Sequence, residues 1–328
     1  MNISKSRTLG RSGIKISPMG LGCWAIGGAF TYNGMSDGYG QIDDEVSIKA
    51  IHRAVDLGIT FFDTSDAYGT GHSERVLGKA LEGIRDKVVI ATKFGHTYDE
   101  STRELIGENS STEYIMKACE ASLRRLKTDY IDLYQLHRWS IPAEEIDQVI
   151  ECLDKLVDKG FIRAYGWSTD WVEGASKFAG RSNCTSIQQS FNLFGYEKGI
   201  LDLCEKYNLA SISRSPLAMG LLSGKFNSAS KLPLDDVRGN AHSWNSYFQD
   251  GKPNPEFLQK LDAVKEILKS SGRTLVQGAL AWIWAESTKT IPIPGFKTVQ
   301  QVEENVKAME FGPLSDGQMK EIDRLLHS

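Results

Sequence analysis

Residues 60–93 read TFFDTSDAYGTGHSERVLGKALEGIRDKVVIATK. A short apolar run, Thr60–Asp63, gives way to Ser73–Leu81, where apolar residues recur at helical spacing, and then to a second apolar run, Val88–Lys93. Strand, helix and strand in that order are the signature of parallel α/β architecture. Working outward, the same alternation continues to both ends of the chain. Candidate strands fall at Met19–Gly22, Ile131–His137, Ala164–Ser168, Ser186–Ser190, Ala210–Arg214 and Thr290–Pro292. Helical segments between and after them are Asp44–Leu57, Thr112–Leu126, Ala143–Lys159, Trp171–Ala179, Ile200–Tyr207, Glu256–Ser270, Thr274–Ala285, Val299–Met309 and Ser315–Leu326.

Eight strand-helix units over 328 residues, with no Pro/Gly/Ser-rich linker, predict one (β/α)8 TIM barrel spanning residues 1–328 rather than a doubly wound sheet. Extra helices are expected near the C-terminus. Arg7–Ser17 reads as two short strands around Arg11-Ser12-Gly13, a hairpin that closes the barrel floor. Leu217–Pro255, long and rich in Gly, Asn, Ser and Pro, reads as a loop that folds over a ligand.

Hydrophobic residues make up 41% and charged residues 24% of the chain, so a large core can form without disulfides or metals. The 38 basic and 42 acidic residues leave a net charge of −4 with no basic run, which argues against nucleic acid and anionic membranes as partners. Five scattered cysteines, Cys23, Cys119, Cys152, Cys184 and Cys204, have no zinc-site spacing and read as reduced thiols; no metal is expected. An N-terminus without an apolar targeting region, and the lack of a membrane-length apolar stretch, make a cytoplasmic protein the expectation. Oligomeric state is not legible.

In a barrel of this kind, chemistry sits where strands end at the C-terminal face. Asp63 ends the second strand, Tyr68 follows in the loop, Lys93 ends the third strand and His137 the fourth. Adjacent strand ends lie ~5 Å apart, so the four side chains can converge. An ammonium beside a phenol is expected to lower its pKa; a carboxylate would hold that ammonium, and an imidazole N–H would fix a carbonyl oxygen.

Four stretches, Gly20-Leu21-Gly22-Cys23-Trp24, Phe62-Asp63-Thr64-Ser65-Asp66-Ala67-Tyr68-Gly69, Ala91-Thr92-Lys93 and Asp132-Leu133-Tyr134-Gln135-Leu136-His137, resemble the aldo-keto reductases in order and spacing. The resemblance implies a catalytic tetrad of Asp63, Tyr68, Lys93 and His137, and an extended nicotinamide cofactor held without a Rossmann domain. The absence of GxGxxG agrees. It also implies cofactor contacts at Gly22, Cys23 and Trp24, and at Ser168, Thr169 and Gln188 around the nicotinamide carboxamide, although the family commonly has Asn where Thr169 stands. Arg214, where many members place a stacking tyrosine, would carry a charge that disfavours the oxidised cofactor. Ser215, Pro216, Leu217, Gly220, Leu222, Gly224 and Lys225 resemble the loop over the pyrophosphate.

After the last strand, Gly295, Lys297, Gln301, Glu304 and Asn305 match the adenosine-binding segment. Gly295 and Gln301 stand where better-known members have a Lys and an Arg for the 2′-phosphate, so preference for NADPH over NADH rests on Lys297. The implied activity is reduction of an aldehyde, ketone or sugar carbonyl. Trp24, Tyr32, Tyr68, His137, Arg138, Trp139 and Trp244 are the expected substrate wall, with Asn33 and His242 as further polar groups. Two alternatives stay open: a Schiff-base aldolase using Lys93, and a cofactor-sensing auxiliary subunit on the same barrel.

Overall fold

The computed structural model describes residues 6–327. Eight parallel strands form its centre: β1 (Leu21–Gly22), β2 (Phe61–Asp63), β3 (Val89–Phe94), β4 (Ile131–Leu136), β5 (Ile162–Ser168), β6 (Cys184–Asn192), β7 (Ala210–Arg214) and β8 (Thr290–Pro292). Each is hydrogen-bonded to the next in chain order. The ring is completed between β8 and β1, where the Gly20 N–H donates to the Pro292 carbonyl and the Gly22 N–H to the Pro294 carbonyl, both at 3.0 Å. A Cβ at Gly22 would stand 2.8 Å from the Ile293 carbonyl oxygen, so glycine is what permits this approach.

Side chains alternate across each strand. Ile90, Phe94, Tyr134, Leu136, Tyr165 and Trp167 face outward into one core shared with the surrounding helices. Phe61, Val89, Ala91, Leu133, Ala164, Ala210, Ile212 and Ile291 face inward and pack as a second core in the lower barrel. Higher up, the same inward columns turn polar at Asp63, Lys93, Gln135 and Gln188, all buried. That switch from apolar to polar along one column creates the site.

The floor is sealed by the antiparallel hairpin Arg7–Thr8 with Lys15–Ile16, whose Leu9, Ile14 and Ile16 join the inward core. Arg11 ties it down by donating to the carbonyls of Cys184 at 2.9 Å and Ala179 at 2.8 Å. Helices Pro255–Lys269 and Leu275–Glu286 lie between β7 and β8, and Val299–Phe311 and Asp316–Leu326 follow β8. No helix among the described residues is long and apolar enough to cross a membrane.

At the top, Thr31–Tyr32, Met35–Ser36, His96–Asp99 and Glu104–Glu108 form a small sheet that sequence reading did not foresee. Strands of two to five mostly polar residues leave no periodic signal. The long segment after β7 docks on the loop after β1, where Val237 N donates to Gly38 O at 2.7 Å and Ser36 Oγ to Asp235 O at 2.8 Å. It therefore runs back across the barrel mouth.

Candidate active site

Lys93 is fully buried, and its three ammonium protons have three acceptors: Asp63 Oδ1 at 2.5 Å, Thr64 O at 2.7 Å and Tyr68 Oη at 3.2 Å. Asp63 Oδ2 accepts from Gln135 Nε2 at 3.0 Å and Gln188 Nε2 at 2.8 Å. Burial opposes the ammonium, but Asp63 and Tyr68 overcome it and hold the Lys93 pKa above the ordinary lysine value. A lysine so charged and so engaged is a poor Schiff-base nucleophile, which disfavours the aldolase alternative.

Tyr68 departs from the expectation of a lowered pKa. Burial raises it; Lys93 pulls the other way, but Asp63 at hydrogen-bond distance from Lys93 offsets that pull, and the net shift is upward. The phenol thus retains its proton in the free protein. Its ring lies 5.9 Å from Trp24 in a stacked arrangement and 5.8 Å from His137 edge-on. The tight turn after it needs Gly69, at φ +59° and with a Cβ position only 1.9 Å from Gly27 O.

His137 is held by Ser65, whose Oγ lies 3.1 Å from Nδ1. Nε2 has no hydrogen-bond partner among the described residues. Burial, then the neighbouring His96, Lys93 and Arg214, keep the imidazole pKa well below its usual value, so the ring is neutral. His96 packs edge-on against it at 5.0 Å.

Of the side chains expected around a nicotinamide, two are engaged within the protein. Thr169 Oγ1 donates to Trp139 O at 2.6 Å and accepts from Trp171 N at 2.9 Å, while Gln188 faces Asp63. Cys23 is buried beside the site, where its N–H donates to Asp63 O at 2.8 Å. Arg214 pairs with Asp170, whose other oxygen accepts from Ser190 N at 2.8 Å. Asp170 therefore offsets part of the Arg214 charge, which weakens the expected repulsion of an oxidised nicotinamide.

Between Ser215 and Lys225, Ser215, Ala218 and Met219 take positive φ alongside Gly220 and Gly224. Such backbone is uncommon for non-glycine residues and concentrates at ligand-binding sites. Leu222 packs into the core beneath. Arg238, in the long segment, donates to Met219 O at 3.0 Å and pairs with Asp236. Lys225 and Lys297 have no ion-pair partner among the described residues. Burial lowers both lysine pKa values and Arg238 lowers them further; Asp236 raises them, but not enough. Lys297 Nζ donates to Tyr39 O at 2.5 Å. This excess of positive charge suits the phosphates of a dinucleotide.

Gln301 caps its own helix by accepting from Lys297 N at 2.7 Å, and Asn305 Nδ2 donates to Gly295 O at 3.3 Å. The Glu304 carbonyl accepts from Gln277. Trp24 donates from Nε1 to Asp37 O at 3.0 Å and lies 6.1 Å from the Trp244 ring. Trp244 and Trp139 are half-exposed, and Tyr32 lies in the small top sheet. Arg138 is drawn aside by Glu108 at 3.0 Å and Ser110 at 2.6 Å. His242 is buried with Nε2 at 2.8 Å from Ser36 O, and Asn33 is an exposed turn residue.

Sequence reading assigned no role to Gln135, Ser65, Asp170 or Arg238. Gln135 was recoverable, since it pairs in register with Lys93 and shares its inward column. The others act through loops whose paths no local pattern encodes.

Residues 18–327 match the family described as Aldo/keto reductase family. The chain belongs to that family. Similar members include the Bacillus subtilis aldo-keto reductase YhdN, 34% identical over 300 residues, covering 89% of this chain and 85% of that one. The Schizosaccharomyces pombe aldo-keto reductase yakc [NADP(+)] is 32% identical over 314 residues, covering 94% and 87%. Among solved structures, the glycerol dehydrogenase AKR11B4 from Gluconobacter oxydans superposes with a TM-score of 0.82 at 32% identity, covering 98% and 95%. The holo form of aldo-keto reductase AKR11C1 from Bacillus halodurans gives 0.77 at 29%, covering 98% and 96%.

Proposed function

We propose that this aldo-keto reductase converts the carbonyl of an aldehyde or ketone to an alcohol, with Tyr68 as the general acid. The observation that carries this is the buried chain from Asp63 through Lys93 to the protonated Tyr68, beside a neutral His137. His137 Nε2–H would hold the carbonyl oxygen near the phenol. Tyr68 then delivers its proton to that oxygen as negative charge develops there, and the Lys93 ammonium stabilises the phenolate left behind. Asp63 keeps that ammonium charged and aimed.

NADPH fits the basic cluster of Lys225, Arg238 and Lys297 and would supply the hydride; NADH remains compatible, because Lys297 is the one residue of the adenosine segment set to read a 2′-phosphate. The S. pombe relative's printed cofactor supports the phosphorylated form. Trp24, Tyr32, Trp139 and Trp244 suit an aromatic substrate wall. A small polyol or sugar carbonyl is compatible, and the glycerol dehydrogenase relative supports it. Five unpaired cysteines suit a reducing compartment, and we place the protein in the cytoplasm.

The test is titration with NADPH and NADH, followed by a panel of aldehydes and sugar carbonyls, in the native protein and in Tyr68→Phe. The expected result is turnover that falls by roughly 10²–10⁴ in the variant with cofactor affinity retained. Cofactor binding without turnover in the native protein would point instead to a sensor.

A further inference from the structure

The segment that carries Tyr68 contains two buried polar residues to which the reaction above assigns nothing, Ser65 and Asp66, exposed by 0% and 1%. Ser65 Oγ lies 3.1 Å from His137 Nδ1 and 3.3 Å from Asp66 Oδ1, and it accepts the N–H of Ala67 at 3.2 Å. Asp66 Oδ2 is buried with no hydrogen-bond partner among the described residues. Arg125, the cation on that side, is engaged by Glu74 at 2.6 Å.

A carboxylate with one oxygen buried and unpaired is costly, whereas a carboxylic acid presents there only a carbonyl oxygen. Burial and the charge of Glu74 both push the Asp66 pKa well above the carboxylate range, in agreement with that geometry.

Proton bookkeeping then fixes the direction of the chain. Ser65 has one hydroxyl proton. If it went to an ionised Asp66, His137 Nδ1 would have to carry the ring proton and donate to Ser65, leaving Nε2 bare. If Asp66 is the acid, its O–H donates to Ser65, Ser65 donates to Nδ1, and the ring proton sits on Nε2. Only the second arrangement offers a donor to a carbonyl oxygen.

We propose that Ser65 and Asp66 are positioning residues: Asp66, as the neutral acid, donates to Ser65, which donates to His137 Nδ1 and locks the Nε2–H tautomer. The catalytic value of this lock rests on the function proposed above; the lock itself does not. Neither residue touches substrate or cofactor in this scheme. Burial, and after it the neighbouring His96, Lys93 and Arg214, keep the ring neutral, so the tautomer is what remains to be set.

Heteronuclear NMR on the full-length protein, with labelled histidine and aspartate, tests it. His137→Gln and Asp66→Asn serve to assign the two resonances. The expected spectra show His137 as a single Nε2–H tautomer and Asp66 still protonated where an ordinary carboxyl is ionised. Ser65→Ala should shift Nδ1 toward an unbonded nitrogen and lower kcat roughly 3- to 10-fold, the scale of one lost hydrogen bond, with NADPH affinity unchanged. Ser65→Thr should restore both. An Nδ1–H ring, a tautomer mixture or an ionised Asp66 in the native protein overturns the proposal, as does an unmoved Nδ1 in Ser65→Ala. Since the native spectra need no turnover, normal activity in Tyr68→Phe would overturn the catalytic reading and leave the tautomer result standing.

Discussion

Burial decides the chemistry of individual groups here more often than the nearest charge does. Tyr68 shows it, and Asp37 makes it measurable. Asp37, beside the Trp24 indole, has a side chain only 16% exposed, and burial pushes its pKa from 3.8 up to about 7. His242 Nε2, at 3.9 Å, is its nearest ion-pair candidate. Because the folded pKa is above the unfolded one, the native state holds this proton across the interval where the unfolded state has released it. Stability therefore falls as pH rises from about 4 to about 7 and does not recover above that. Asp37→Asn should remove the loss: relative to the native protein it should gain on the order of 2 kcal/mol between about pH 5 and pH 8 in urea denaturation. Parallel stability curves for the two proteins would mean that Asp37 ionises normally.

At the scale of elements, the start of the helix Val299–Phe311 does two jobs. Thr298 accepts from Gln301 N at 3.3 Å, and Gln301 reaches back to the N–H groups of Thr298 and Lys297, a reciprocal capping box. The residue that stands at the family's arginine position is thus engaged in holding the turn that presents Lys297. Thr298→Ala should cost about 1 kcal/mol of stability, as lost N-caps do, and should also weaken NADPH more than NADH. Urea midpoints and cofactor titrations check the two halves. Lost stability with unchanged NADPH affinity would separate the cap from the lysine.

For the molecule as a whole, the barrel has a closed end and a working end. Leu9 is fully buried in the hairpin and belongs to the inward core of the lower barrel, whereas Tyr68 follows the upper end of β2. Leu9→Ala should cost ~2–5 kcal/mol, the range for a large-to-small change in a filled core, while kcat of the folded protein stays near its native value. Thermal denaturation and steady-state rates measure this. A cost below about 1 kcal/mol would place the hairpin outside the cooperative core, and a large fall in kcat would mean that the floor transmits to the site.

Strand order, helix placement and the meeting of Asp63, Tyr68, Lys93 and His137 were legible in the sequence. Two local rules suffice for them: alternation along each strand sends every second residue inward, and parallel strands joined by helices bring successive strand ends side by side. Thr112–Leu126 is read to the residue, because its apolar face repeats over four turns and Ser111 caps it. Partner choice was not legible. Gln188 turns to Asp63, Thr169 to the Trp139 carbonyl, Arg214 to Asp170 and Arg138 to Glu108. Each of these joins residues at least 30 positions apart, and each depends on which donor reaches which acceptor once water is excluded. The direction of the Tyr68 shift belongs with them: sequence places the ammonium beside the phenol and the carboxylate beside the ammonium, but how far the phenol lies from solvent, which sets the sign, is a property of the packed barrel.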